Sequence, residues 1–472
     1  MTRIAGPPFP PTWGCSVTLL LQRFFGLALR LVLVPGISLL AAMSWMPASA
    51  QAADLAPRPI VFVHGNGDSA ALWLTTVWRF ESNGYDPALL FALDFPHPTA
   101  PSDNTKPTPN RSTADDQLRE LSAQMRRILG ASTQGKAVLI GSSRGGNTIR
   151  NYVKNGGGAA HVSLVILGGA TNHGVFALPV NLNSEFNGSG PFLTQLNAGS
   201  EVVPGVEYVT LRSDRLDKYA QPTGEFLGMP GKPTNIGYDA PELKGARNIV
   251  LDGLDHREVA FHKRAFREMY LAVTGREPVT LDVKPQERPV LNGIVSGFEA
   301  GAPTNLPLVG ATVNVYEVDP ATGERKGAAV HNAQVGPTGQ WGPFTASPTA
   351  YYEWEISAAG YPTTHVYRTP FPRSSRYVHY RLAPEDKKLE GAGSVVMLAR
   401  PRGYLGHGRD TFTLDGVAPD GVNPGVPGTA TGVKTYPAGA SRAVPAMLNG
   451  ERMTVRTWPL AEGHLTIAEF HD

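Results

Sequence analysis

Residues 137–147 read AVLIGSSRGGN, an apolar run that breaks into two serines, an arginine and two glycines. The apolar part has the length and branching of a buried strand, and the glycines mark a tight exit from it. Gly141-x-Ser143-x-Gly145 has the spacing of a nucleophile elbow, a sharp strand-to-helix turn that holds a serine hydroxyl in the open. Ser143 is therefore the candidate nucleophile, with Gly141 and Gly145 as the elbow glycines. Five-residue matches also arise by chance. The reading depends on the rest of the chain supplying a base, an acid and an oxyanion hole.

Outward from this stretch, apolar runs alternate with amphipathic segments from about residue 58 to 276. PIVFVHG (59–65), VSLVILGG (162–169), VEYVTLRS (206–213) and RNIVLDG (247–253) read as buried strands. Segments 114–129 and 259–273 read as helices; in the second, Val259, Phe266, Met269, Tyr270 and Val273 recur near helical spacing. This alternation predicts an α/β domain over 55–276, a mostly parallel sheet with helices on both faces.

The remaining catalytic parts are sought in the loops of that domain. His256 lies between the last strand and the last helix, where a loop lifts an imidazole above the carboxyl edge of the sheet. It is the candidate base. His262 is expected inside the following helix, and His173 in the wall of the site. The loop after VEYVTL offers two carboxylates; Ser213-x-x-Asp favours Asp217 as the acid, with Asp214 as the alternative. The oxyanion hole would be backbone N–H groups, one from Arg144 and one from Asn66 in HGNGD (64–68), where Gly65 and Gly67 let the backbone approach a substrate. Ser143, Asp217 and His256 would attack an ester carbonyl and pass through an acyl-enzyme. An amidase or peptidase would use the same constellation.

After Gly275 the texture changes to Pro, Gly and Thr with short alternating strands. Residues 280–384 read as a β-sandwich or barrel, and 390–472 as a second all-β segment, with a Gly/Pro-rich connection over 415–432. Tyr351, Tyr352, Trp354, Tyr367, Tyr377 and Tyr380 form either a surface that grips lipid or polymer, or the packing of the sandwich. Ending the chain after Gly275 is expected to spare hydrolysis of soluble esters and to reduce action on emulsions or films.

Residues 1–50 have the pattern of a secretion signal. Arg3, Arg23 and Arg30 precede or enter an apolar stretch, Leu31–Met43, and Ala48-Ser49-Ala50 fits a cleavage site. That stretch is short for a membrane span, so no stable span is expected after cleavage, and the product is expected outside the cytoplasm. Loss of the three arginines takes 42 basic residues to 39 against 40 acidic ones, a net charge of −1. Near-neutrality gives no support to nucleic-acid binding. Cys15, the one cysteine, departs with the leader, which excludes disulfides and a thiol nucleophile from the mature chain. With no HExxH-type helix, Cys/His cluster or phosphate-binding loop, no metal or cofactor is expected.

VHGNG, GSSRGG and the loop around His256 resemble those of secreted bacterial lipases and esterases of the α/β-hydrolase superfamily. NGSGPFLTQLN (187–197) is similar to their segment between the sixth strand and the acid. The whole chain further resembles archaeal lipases with a C-terminal β-barrel domain for lipid binding, in the passage 255–286 and the short run 366–371. One departure stands out: LGGATN (167–172) holds no carboxylate where those lipases carry their acid. Residues 287–382 also resemble a transthyretin-like or carboxypeptidase-regulatory-like sandwich. The resemblance implies an ester hydrolase acting on lipid or polymeric ester. A polyester depolymerase on the same triad, or an adhesion protein with an inert hydrolase domain, are the alternatives. A lid or a fixed cap is expected over 174–200.

Overall fold

The computed structural model describes residues 57–130 and 135–472. The expected leader lies outside the described residues. Strands β1 (Ile60–Val63), β2 (Leu90–Leu93), β3 (Ala137–Ser142), β4 (Val162–Gly168), β5 (Glu207–Ser213) and β6 (Arg247–Leu251) form one sheet in the order β2-β1-β3-β4-β5-β6. Every neighbouring pair is parallel. The helices are α1 (Leu74–Ser82), α2 (Ala114–Gly130), α3 (Arg144–Asn155), α4 (Pro191–Asn197), α5 (Glu258–Phe261) and α6 (Lys263–Thr274).

Strand side chains alternate between two apolar layers, which is why these strands read as continuous hydrophobic runs. Ile60, Phe62, Val138, Ile140, Leu164 and Ile166 pack with Trp73, Trp78, Phe80 and Phe266. Val61, Val63, Leu139, Val165 and Leu167 pack on the other face with Leu121, Met125, Ile149 and Val153 of α2 and α3. The chain is thus an α/β sheet clad on both sides, as the alternation predicts.

The single helix expected over 259–273 is broken into α5 and α6 at His262, whose backbone is extended (φ −60°, ψ 148°). Its Nδ1 accepts the Arg264 N–H at 3.2 Å and so caps α6. Burial, and then the Arg79 charge, push the imidazole down to about 4 from 6.5. The folded chain binds this proton more weakly than the unfolded one. The neutral ring therefore contributes stability that is complete above pH 6.5 and is lost as pH falls towards 4. His262→Asn, which caps without titrating, is expected to flatten this part of the stability–pH curve by on the order of 2 kcal/mol. Thermal melts between pH 4 and 7 measure it.

Beyond Gly275 the chain is all β, with strands β7 (Thr312–Val318), β8 (His331–Gln334), β9 (Tyr351–Ser357), β10 (Thr363–Arg368), β11 (Ser394–Ala399), β12 (Phe412–Leu414), β13 (Thr431–Tyr436), β14 (Ala443–Leu448), β15 (Glu451–Arg456) and β16 (His464–Glu469). Seven of them make one sheet, β8-β7-β9-β10-β16-β11-β13, in which the last strand slots between β10 and β11, parallel to both. The other three form the antiparallel sheet β12-β14-β15. Of the run 377–382, only Tyr380–Arg381 pairs as a strand.

The aromatic binding surface is not there. Tyr352, Trp354, Tyr367, Tyr377 and Tyr380 are all buried, and only Tyr351 is partly exposed. Trp354 packs edge-on against Trp341 at 6.0 Å and Phe371 at 5.6 Å between ring centroids. Tyr367, on the other face of the sheet, packs with Val396 and Leu398, whereas Tyr352, Trp354, Tyr377 and Tyr380 form the core around Trp341 and Phe371.

That core is continuous with the α1 face of the catalytic sheet. Trp78 donates its indole N–H to the Ser374 carbonyl at 2.8 Å and packs against Phe371. Arg373 pairs with Glu81 at 2.6 Å, and the Tyr377 hydroxyl accepts the Ala92 N–H at 3.0 Å.

Candidate active site

Because all six strands of the first sheet run the same way, their carboxyl ends gather on one edge, where crossover loops meet. β3 ends at Ser142, and the next residue, Ser143, turns the chain into α3 with φ 52° and ψ −124°. A serine held at positive φ is strained, and it is held there by its neighbours. Its N–H donates to the Gly168 carbonyl at 2.9 Å. A Cβ at Gly145 would stand 2.5 Å from the backbone oxygens of both Val63 and His64. Glycine there lets α3 cross β1 at contact. Gly145→Ala is expected to push helix and strand apart, costing about 2 kcal/mol and lowering ester turnover with it; a melt and a rate assay on one sample check both. At Gly65 a Cβ would meet the Ser143 Cβ at 3.0 Å, so this glycine leaves the serine its room.

His256 follows β6, and its Nδ1 lies 2.8 Å and 2.9 Å from the two carboxylate oxygens of Asp217. Both residues are buried, at 3% and 4% exposure. Asp217 Oδ1 also accepts the Tyr219 N–H at 2.8 Å, and the Tyr219 ring stands edge-on to the imidazole, 4.6 Å between centroids. The carboxylate and the ring therefore have fixed orientations. Asp214 faces elsewhere. Burial pushes its carboxyl up, but the N–H groups of Arg215 and Gly253 and the Ser213 hydroxyl outweigh this and hold it below the usual range. It serves the turn after β5.

Ser143 and His256 line one cavity of about 310 Å³ together with Gly65, Asn66 and Gly67. Its apolar wall is Val175, Phe176, Phe186 and Leu227, with Tyr219 and Tyr404. As the first residue of α3, Arg144 has an N–H with no intrahelical acceptor. The Asn66 side chain accepts the Ala100 N–H at 2.7 Å and the Gly67 N–H donates to Pro98 at 3.1 Å, which set the shape of the 64–68 turn. Beneath that turn, buried His64 accepts the Phe95 N–H on Nε2 at 3.2 Å, so its Nδ1 carries the proton towards the Gly65 carbonyl at 2.9 Å. Burial pushes the His64 imidazole down and keeps it neutral.

His173 is not part of this wall. It lines a different cavity and contacts the Ala240 carbonyl and Glu201. Asp255 is fully buried and bonds to the Arg257 and Tyr404 N–H groups rather than to the imidazole next to it.

Several contributors escape sequence reading. The Arg144 side chain is buried and forms a two-pronged pair with Glu185, and it also reaches the Pro98 carbonyl and Ser112. A charged residue inside the elbow motif was the available signal. Its partner, 41 residues on, was not legible. Through this pair the 174–200 segment is pinned to the elbow. Asn187, fully buried, donates to the Leu178 and Val180 carbonyls at 2.9 Å each, so the segment is also tied within itself. Tyr404 enters from the C-terminal region.

Among the described residues, Glu353, Glu355 and His365 form the one group with metal-ligand spacing. Arg325 already bridges both carboxylates at 2.7 Å, where a cation would sit. No helix of the described residues is long and apolar enough to cross a membrane.

Residues 57–210 match the class 2 lipase family, and residues 290–384 match the lipase C-terminal domain. No curated protein sequence matches the chain. Solved structures to which the chain is similar include lipase B of Aspergillus fumigatus, 16% identical over 50% of this chain and 56% of that one, with a TM-score of 0.35. The chain thus spans little more than half the length of that enzyme. A lipase of Bacillus licheniformis in mature form is 20% identical over 47% of this chain and 94% of that one, TM-score 0.34. A carboxylesterase of Bacillus subtilis is 13% identical over 47% and 85%, TM-score 0.27. The α/β sheet thus lies largely in a stretch that resembles class 2 lipases, and the first part of the β region in one that resembles the lipase C-terminal domain.

Proposed function

We propose that the chain is a secreted serine lipase or carboxylesterase that cleaves lipid or other water-insoluble esters through an acyl-enzyme on Ser143. The observation that carries this is the buried Asp217–His256 pair, with bonds of 2.8 Å and 2.9 Å, opening onto the same cavity as a serine held at positive φ. His256 takes the Ser143 proton as the hydroxyl oxygen attacks the ester carbonyl. Asp217 holds Nδ1–H, leaving Nε2 free to accept, and stabilises the imidazolium that forms. The N–H groups of Asn66 and Arg144 receive the developing oxyanion, each worth roughly 10²–10³ in rate. His256 then protonates the leaving alcohol, and water repeats the sequence on the acyl-enzyme. The apolar wall of Val175, Phe176, Phe186 and Leu227 takes the acyl group.

The test pairs p-nitrophenyl butyrate and palmitate with a fluorophosphonate that traps serine nucleophiles. The expected result is turnover of at least one ester, its loss on fluorophosphonate treatment, and an adduct on the peptide holding Ser143. Folded protein that cleaves neither ester and takes no adduct would overturn the reading. Secretion rests on the sequence of residues 1–50, and N-terminal sequencing of the exported protein, expected to begin near Gln51, tests it.

A further inference from the structure

Behind the 64–68 turn, where the catalytic sheet meets the C-terminal β region, lies a second cavity of about 270 Å³. Four arginines line it: Arg257, Arg368, Arg381 and Arg402. The only carboxylates in its wall are Asp68 and Glu469. These two are already engaged, Asp68 with Arg257 at 2.6 Å and Glu469 with Arg368 at 2.6 Å. Arg381 and Arg402 form no ion pair among the described residues. Arg381 donates to the carbonyls of Thr304 at 3.1 Å and Gly67 at 2.8 Å, and to the Asn305 amide oxygen. Arg402 donates to the carbonyls of His471 at 3.2 Å and Phe470 at 2.5 Å.

The cavity therefore carries an excess of two positive charges, of which Arg402 is buried and Arg381 partly buried. Guanidinium N–H groups are also left over. The Nε of Arg368, a residue 2% exposed, has no hydrogen-bond partner, and neither has the Nε of Arg257. Burial, with Arg368 and Arg257 close by, pulls Arg402 down to about 10. Burial also pulls Arg381 down. Uncompensated buried charge is costly, and planar guanidinium forks match the acceptor geometry of phosphate and carboxylate.

We infer that this cavity is a binding site for a small oxyanion, held by the forks of Arg402, Arg381 and Arg368 and lying next to the catalytic pocket. Gly67, Asp68 and Arg257 line both cavities, so an occupant sits one residue's thickness from the oxyanion turn. An anion that engages Arg257 competes with Asp68 for it. The site stands on residues other than Ser143, Asp217 and His256, and it does not depend on the reaction proposed for them.

The experiment follows thermal unfolding of the mature chain in sodium phosphate or sodium butyrate, against sodium chloride at matched ionic strength. Phosphate is expected to raise the midpoint by about 3 °C at a hundredfold excess over Kd. Arg402→Gln is expected to lose that rise. Butyrate acting alone would identify the occupant as a carboxylate such as the acid product of ester cleavage; phosphate acting alone would identify a phosphate-bearing ligand. A wild-type midpoint unmoved by either anion overturns the proposal, as does an equal rise in folded Arg402→Gln. Should Arg402→Gln fail to fold, crystals of the wild type decide, soaked in tungstate where phosphate raises the midpoint and in 4-bromobutyrate where butyrate alone does. An anomalous peak between Arg402 and Arg381 supports the site, and an empty cavity overturns it.

Discussion

Removal of residues 276–472 is expected to abolish hydrolysis of soluble esters as completely as that of emulsified ones. Sequence texture alone suggests the opposite, a catalytic domain ending near Gly275 that works without its C-terminal region. The reversal comes from the two residues flanking the catalytic loop. Asp255, one position before His256, is wholly buried, and Glu258, two positions after it, is 3% exposed. Both get their counter-charges from beyond residue 390. Arg400 pairs with Glu258 at 2.7 Å; Arg409 reaches Glu258 at 2.6 Å and Asp255 at 3.1 Å. Burial and the Asp255 charge push Glu258 up to about 7 even against these arginines. Without them two carboxylates would lie unpaired beside the candidate base. Breaking a buried pair from one side costs about 3–5 kcal/mol, against a typical total stability of 5–15 kcal/mol. The truncation also strips Phe371 and Ser374 from Trp78. Circular dichroism and p-nitrophenyl butyrate turnover of the fragment check the outcome. Arg400→Ala in the full chain is the finer probe, expected to lose about 3–5 kcal/mol of stability. A folded fragment 51–275 with full butyrate activity would show these contacts to be dispensable.

The catalytic sheet was legible because its strands are covered on both faces. Runs such as VFV and VLI have no polar phase, and each is followed by a loop whose glycines mark an exit. β2 was missed for a physical reason: Leu90–Leu93 has four residues, and its middle pair is only partly buried, so it carries neither a long run nor a clean alternation. α1 was missed because Thr75 and Thr76 are buried along with its apolar residues, which blurs the helical period. In the C-terminal region, β7 and β9 stand out by alternation. β13 and β14 do not, since they contain Gly432, Pro445 and small residues. Alternation shows that half of a strand's aromatics face inward, but which half depends on long-range pairing, which for β10 and β16 spans 101 residues. The site divides in the same way. Ser143 and His256 follow from motif and order, whereas the Arg144–Glu185 pair and the entry of Tyr404 depend on long-range contacts that leave no local pattern.

Ser143→Ala is expected to lower ester turnover by on the order of 10⁶, and Asp217→Asn by about 10⁴, with Asp214→Asn changing it no more than a few-fold. The three values separate roles that the loop sequence leaves confounded. Alanine at 143 removes the atom that forms the acyl bond, so the residual rate comes from substrate binding and the oxyanion turn alone. Asparagine at 217 keeps the volume and the Tyr219 N–H contact but can turn an amide N–H₂ towards Nδ1. The imidazole then accepts on Nδ1 and presents Nε2–H to the serine, the wrong tautomer for a base. A sign of this would be a large fall in kcat with KM little changed, since the cavity wall is untouched. Asp214 bonds to Ser213 and to the N–H groups of Arg215 and Gly253. Its replacement loosens the loop that carries Asp217 without touching the histidine, so a fall in stability without a comparable fall in kcat is expected. Should Asp214→Asn prove the more damaging to kcat in folded protein, the acid would have to be reassigned and the loop after β5 would adopt another register when substrate binds. The 2.8 Å contact between Asp217 and His256 argues for the first ranking.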